Sequence, residues 1–153
     1  MRQSYAAYLA TPQTTGGWAT GSVQVMDIVA ALFVEGINQR QVPGPSTRFD
    51  LTGVMFSLPA PSELPVNIAP HLVVFVRCAA DEAGMGTLEV EFVDGAGAEV
   101  ARNAQPVTVQ PGKFGRLLVK GELTYEAYGT IEAHVKLTGG EPVVVPLTLL
   151  PPA

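Results

Sequence analysis

Between Pro70 and Arg102 the chain carries three strand-like patterns in succession, and they leave little freedom in the choice of fold class. Leu72 to Ala79 is apolar at nearly every position, which suits a strand covered on both faces in the middle of a sheet. From Thr87 to Phe92 the residues alternate, with Leu88, Val90 and Phe92 set against Thr87, Glu89 and Glu91. A period of two gives one set to a core and the other to water. Asp94-Gly95-Ala96-Gly97 then reads as a hairpin turn into Ala98–Arg102, because glycine takes the positive φ such turns require. Three strands joined this closely are expected to form a meander.

The rest of the chain fits the same class. Val23 to Val34 is long enough for a helix, but its β-branched content and flanking glycines (Gly21, Gly36) favour a strand. Glu35-Gly36-Ile37-Asn38 follows as a turn or bulge, and Val42-Pro43-Gly44-Pro45-Ser46 as a loop. Thr47 to Leu58 alternates, with Phe49, Leu51, Gly53 and Met55 on one face. Pro59, Pro61, Pro65 and Pro70 punctuate an extended crossover, since proline cannot donate to a ladder.

After the central stretch come a short strand at Val107–Val109, a turn at Pro111-Gly112-Lys113 and a strand from Phe114 to Leu123. Leu123 to Gly129 is a corner or a single helical turn. Thr130 to Leu137 puts Ile131, Ala133, Val135 and Leu137 inward, Gly139-Gly140 turns the chain, and Val143 to Leu149 returns. Pro146 marks that last strand as an edge or a bulge. With turns every ~8–12 residues, this gives about eight or nine strands. The expected fold is all-β: a two-sheet antiparallel, immunoglobulin-like sandwich over residues 23–150, with residues 1–22 as an N-terminal arm. Leu72, Val74, Val76, Leu88, Val90, Phe92, Ile131, Val135 and Leu137 are its expected core.

Gly36-Ile37, Pro70 ahead of Leu72 to Val76, and Asp94 with Gly97 occur here at a recognisable spacing. In that layout the chain resembles an uncharacterised family of small bacterial β-sandwich proteins, over roughly residues 24 to 150. In the family a Pro-Gly-x-Tyr corner opens the penultimate strand. Here the corner is Tyr128-Gly129-Thr130-Ile131, without the proline and with the aromatic on the other side of the glycine. The resemblance implies the sandwich fold and brings no catalytic residue with it.

Composition narrows the function classes. Charged residues are 15% of the 153, against a typical ~25%. A surface so short of charge is expected to leave apolar patches for a partner or a second copy. The net charge is −5, and the nine basic residues are scattered singly, which argues against nucleic acid. No apolar run approaches the ~20 residues of a spanning helix, so membrane insertion is not expected. The start of the chain lacks a secretory pattern, and Cys78 is the sole cysteine, so a cytoplasmic setting is expected.

Chemistry is harder to find. Neither Gly84-Met85-Gly86 nor Gly95-Ala96-Gly97 is followed by the lysine and helix of a phosphate loop, and no Gly-x-Ser-x-Gly elbow occurs. His71 and His134 read as ordinary strand residues, and Cys78 as a small core hydrophobe. Glu89 and Glu91 share a strand face at ~6.6–7 Å spacing, as in any solvated strand with alternating glutamates. Asp94 and Glu99 lack the spacing of a calcium loop. No catalytic residue, metal or cofactor is expected.

The leading expectation is a non-catalytic module acting through protein contacts, as a self-associating or accessory subunit. Tyr5, Tyr8 and Trp18 of the arm and the apolar run Val143, Val144 and Val145 are the candidate interaction residues. The alternative is a small-molecule or carbohydrate-binding sandwich with Trp18, Tyr125 and Tyr128 as a stacking platform.

Overall fold

The computed structural model describes residues 25–44, 46–81 and 84–153. Among them the chain forms β1 (Met26–Val42), β2 (Ser46–Met55), β3 (Ser57–Pro59), β4 (Val66–Ile68), β5 (His71–Cys78) and β6 (Gly84–Val93). Then follow β7 (Glu99–Val109), β8 (Phe114–Lys120), β9 (Leu123–Tyr125), β10 (Gly129–Leu137) and β11 (Val143–Leu150). The first sheet has the order β2-β1-β5-β8 and the second β3-β11-β10-β6-β7. A small ribbon pairs β4 with β9.

The expected all-β sandwich is what forms. Phe33, Leu72, Val74 and Val76 of the first sheet share one core with Leu88, Val90, Phe92, Val135 and Leu147 of the second. Every residue that the alternation assigned to the core is buried. The count rises to eleven because three short strands, β3, β4 and β9, form where the sequence reads as crossover and corner. One pairing, β11 with β3, is parallel.

The meander needs correction. β5 belongs to the first sheet and β6 to the second, so only the β6–β7 hairpin survives from the expected three-strand unit. Alternation along a strand fixes which side faces the core, and it is silent about which strand lies alongside. β7 also runs unbroken from Glu99 to Val109 through Pro106, where the sequence reads as two pieces. As the edge of its sheet, β7 has one side on which a missing N–H costs no ladder bond.

The second correction lies in β1. Glu35-Gly36-Ile37-Asn38 is strand rather than turn, and β1 pairs with β2 out to Val42↔Ser46. That pairing skips Glu35 and Gly53, and Gly53 has φ 62°. The positive φ favours glycine at this position, and a Cβ there would push the Glu35 side chain aside.

The ladder bends at this point. Phe49 pairs with Gln39, and Phe75 with Ala30. In a straight strand those rungs would stand ~30 Å apart. The two rings nonetheless meet at 5.4 Å between centroids, tilted by 53°. The far half of the hairpin therefore folds onto the outer face of its own sheet. Val34 and Val73, outside the main core, are completely buried. Arg116 on β8 closes the arrangement, its guanidinium 5.7 Å from the Phe49 ring centre.

Pro146 keeps its expected meaning. Thr148 donates its N–H to Phe56 O on the β3 side of β11. By the strand's period of two, residue 146 faces the same side, where β3, paired only to 148–150, no longer reaches.

Candidate functional site

At one end of the sandwich the β6–β7 turn stands across from the corner between β9 and β10. The turn is held by its own first residue. Asp94 Oδ1 accepts the N–H groups of Ala96 (2.9 Å) and Ala98 (3.0 Å), while Gly97, at φ 84°, donates to Asp94 O. The Asp94 carboxylate is thus occupied in building the loop.

Between turn and corner lies a cleft of about 320 Å³ whose walls include Val100, Glu126, Tyr128 and Ile131. A second, shallower depression of about 510 Å³ adjoins it over the outer face of the second sheet, reaching Glu91, Glu132 and His134. Asp94, Gly95 and Thr130 border both.

Of the expected stacking platform, Tyr125 and Tyr128 both border this cleft, but Tyr125 is only 3% exposed. Its hydroxyl donates to Leu147 O at 2.7 Å, tying the ribbon to β11. Burial pushes the phenol up to about 12, opposed by a backbone hydrogen bond from Ile131. Tyr125 is a strut of the core and offers no open face. Tyr128, 41% exposed, does stand at the cleft. Trp18 lies outside the described residues, as do Tyr5, Tyr8 and the rest of the expected 1–22 arm.

The Val143–Val145 run is corrected too. It alternates: Val144 is 46% exposed, Val143 half-buried, and Val145 belongs to the core.

Charge on the outer face of the second sheet is spent in surface pairs. Arg102 bridges Glu99 (2.7 Å) and Glu91 (3.0 Å), and the hydrogen bond to Glu99 holds its guanidinium pKa above the usual value. Glu132 Oε1 lies 3.2 Å from His134 Nε2. Glu89 is exposed, so the Glu89/Glu91 pair stands on an open strand face with one member engaged by Arg102.

His71 lies on the outer side of β5 and His134 on the outer side of β10, so the two histidines occupy opposite faces of the molecule. Cys78 is fully buried in the core. On the far hairpin Arg40 and Asp50 pair at 2.6 Å, and the hydrogen bond from Arg40 lowers the Asp50 carboxyl. Among the described residues, no group of three His, Cys, Asp or Glu side chains is placed to hold a metal ion.

Sequence reading missed Asn103. It pairs with the core residue Val90, and its Oδ1 is buried without a hydrogen-bond partner. A continuous alternation from Ala101 to Val109 puts it inward, a pattern hidden when Ala98–Arg102 and Val107–Val109 are read as separate strands.

No protein-family model matches the sequence, and no curated protein does. Solved structures do match in shape. A Pseudomonas fluorescens alkylpurine DNA glycosylase bound to DNA containing an abasic site analogue superposes with a TM-score of 0.52 at 9% identity. The match covers 82% of this chain and 30% of the glycosylase. A Listeria innocua β-glucosidase in complex with isofagomine gives 0.48 at 13% identity, over 78% of this chain and 16% of the other. The same enzyme with glucose gives 0.49 at 11%, over 81% and 17%. The chain thus spans less than a third of each of these proteins, and the glycosylase likeness is one of fold alone. No helix among the described residues is long and apolar enough to cross a membrane.

Proposed function

We propose that this sandwich is a non-catalytic module that works through protein contacts, as a self-associating or accessory subunit. The observation that carries the reading is apolar surface left over once the core is closed. Phe114, Phe56, Leu118 and Val144 all stand exposed on a domain whose interior is already filled by both sheets. We extend the proposal to the N-terminal segment, whose Tyr5, Tyr8 and Trp18 would cover part of that surface. A cytoplasmic setting completes the proposal, supported by a lone, buried cysteine.

Light scattering coupled to gel filtration tests this on the full chain and on a version starting at Ser22. The expected result is a dimer or larger assembly that weakens on truncation. A full-length monomer at tens of micromolar removes self-association, and an unchanged assembly after truncation removes the role of the segment. A stacking platform for a small ligand is the weaker reading, since Tyr125 has no open face and only Tyr128 of the described pair presents a ring.

A further inference from the structure

We infer that two copies of this chain pair through the open edge of β8, antiparallel and with the two-fold axis at Leu117. The inference rests on the self-association reading and says where and in what register it happens. Strand edges are normally protected by charged side chains, by proline, by bulges or by bending away. The other long edges here each carry such a guard. β7 has Pro106 and a register shift opposite Val93, the uncovered part of β11 has Pro146, and β2 bends out of the sheet at Gly53. β8 is guarded only by the charges of Arg116 and Lys120: it holds no proline, pairs with β5 without a register shift, and nothing among the described residues pairs with its other side.

The backbone polarity of that edge can be read directly. Cys78 donates its N–H to Lys113 O, and Gly121 donates to Pro70 O. Odd-numbered residues of β8 therefore point their N–H and C=O groups at β5. Phe114, Arg116, Leu118 and Lys120 direct theirs to the open side. Their side chains line the outer face of the sheet, where Phe114 is 64% and Leu118 40% exposed.

A second copy satisfies every one of these groups when even-numbered residues oppose even-numbered ones. Overlap and charge then select the register: centring on Gly115 or Val119 leaves part of the strand unpaired. Centring on Arg116 sets that residue against its own copy, and centring on Leu118 sets Arg116 against Lys120. Like charges directly opposed are destabilising. Centring on Leu117 puts Arg116 against Leu118 and Phe114 against Lys120, with no like-charge pair. On the inner side the two half-buried Leu117 side chains meet at the axis, in a non-hydrogen-bonded pair where side chains approach most closely. The first sheet would continue from one copy into the next, an isologous arrangement that closes on itself.

Light scattering on the full chain and on three variants tests the pairing, with circular dichroism confirming the β-sheet signal. Leu118→Lys opposes a second cation to Arg116 twice per dimer and should raise the dissociation constant about tenfold or more. Adding Arg116→Glu to it turns the repulsive pairs into attractive ones and should restore the dimer. Val144→Lys, on the second sheet, should leave association unchanged. Leu117→Cys should oxidise to a covalent dimer, because opposed residues of a non-hydrogen-bonded pair lie within disulfide reach. A full-length monomer overturns this pairing and the self-association reading together. A dimer indifferent to Leu118→Lys overturns the β8 edge alone. A double variant that stays monomeric, or a Leu117→Cys chain that does not cross-link, overturns the register.

Discussion

β5 and β10 hold comparable central places in the two sheets, yet their outer faces live in different surroundings. β10 puts Ile131, Ala133, Val135 and Leu137 into the core and leaves Thr130, Glu132, His134 and Lys136 at the surface. Its sequence alternates accordingly. β5 gives Leu72, Val74, Val76 and Cys78 to the same core, but Val73 on its other side is completely buried and Phe75 packs on Phe49. At Phe75 that cover is the Phe49 ring of the bent β1–β2 hairpin of the same sheet. A strand reads as continuously apolar or as alternating according to what lies over its second face, and here the cover is supplied locally.

The largest effect should come where both sheets contribute. Phe92 of the second sheet is buried to 1% in the shared core. Phe92→Ala is expected to cost about 3–5 kcal/mol in urea unfolding, from lost burial plus the cavity left behind. A cost under about 1 kcal/mol would mean that the sheets do not share a tightly packed interior.

Next comes a direct test of the contrast. Val73→Ala removes two methyl groups from beneath the hairpin and should cost about 2 kcal/mol. His134→Ala, in the matching outer row of β10, should stay within about 0.5 kcal/mol of the parent. Equal costs in denaturant titrations would show that the hairpin shields nothing.

Much of this contrast was legible beforehand, and the reason for the rest is physical. The unbroken run at Leu72 to Ala79 announced a strand covered twice, and the flawless alternation of Thr130 to Leu137 announced one covered once. What supplies the second cover was hidden, because Glu35-Gly36 reads as a turn and Gly53 as one more small residue on a strand face. Only the skipped rung at Glu35 and Gly53 reveals a bend within a continuous ladder. The jump from β5 to β6 between sheets was equally hidden, since a periodic pattern reports faces and never partners. At the cleft, Tyr128, one of the three aromatics of the expected platform, is 41% exposed. Tyr125, three residues earlier in a polar stretch, gave no sign that its ring turns into the core and its hydroxyl reaches β11.

Tyr125 belongs to the small ribbon rather than to either sheet, and it sharpens the comparison by showing what joins a third element to the pair. Tyr125→Phe should cost about 0.5–1.5 kcal/mol at neutral pH, the usual net worth of a hydrogen bond. The phenol's folded pKa, about 12, lies above its ordinary 10. Folding therefore favours the protonated form. That contribution is complete below pH 10 and is lost as the pH rises through 12. Stability of the parent chain should fall across that window more steeply than that of Tyr125→Phe, so the two denaturant midpoints converge. Parallel curves would mean that the hydroxyl is not desolvated.

The smallest expected effects compare one exposed arginine from each outer face. Arg116 lies over the Phe49 ring on the first sheet, and Arg102 bridges two glutamates on the second. Arg116→Ala should cost roughly 0.5–1 kcal/mol, the range for a cation over an aromatic face at an exposed site. Part of that comes from the packing of its aliphatic stem, which salt does not screen. Arg102→Ala removes only ion pairs between solvated groups, whose attraction competes with water and side-chain entropy. Its effect should be smaller in dilute buffer and should vanish as salt rises to molar concentration, where the screening length falls to about 3 Å. Urea titrations of both variants at low and high salt separate the two cases. If both losses disappear with salt, Arg116 is held by charge alone, and the hairpin rests on the first sheet less firmly than the ring contact implies. If the Arg116 loss persists while the Arg102 loss fades, the two outer faces differ in kind: one is a packed layer, the other a solvated one.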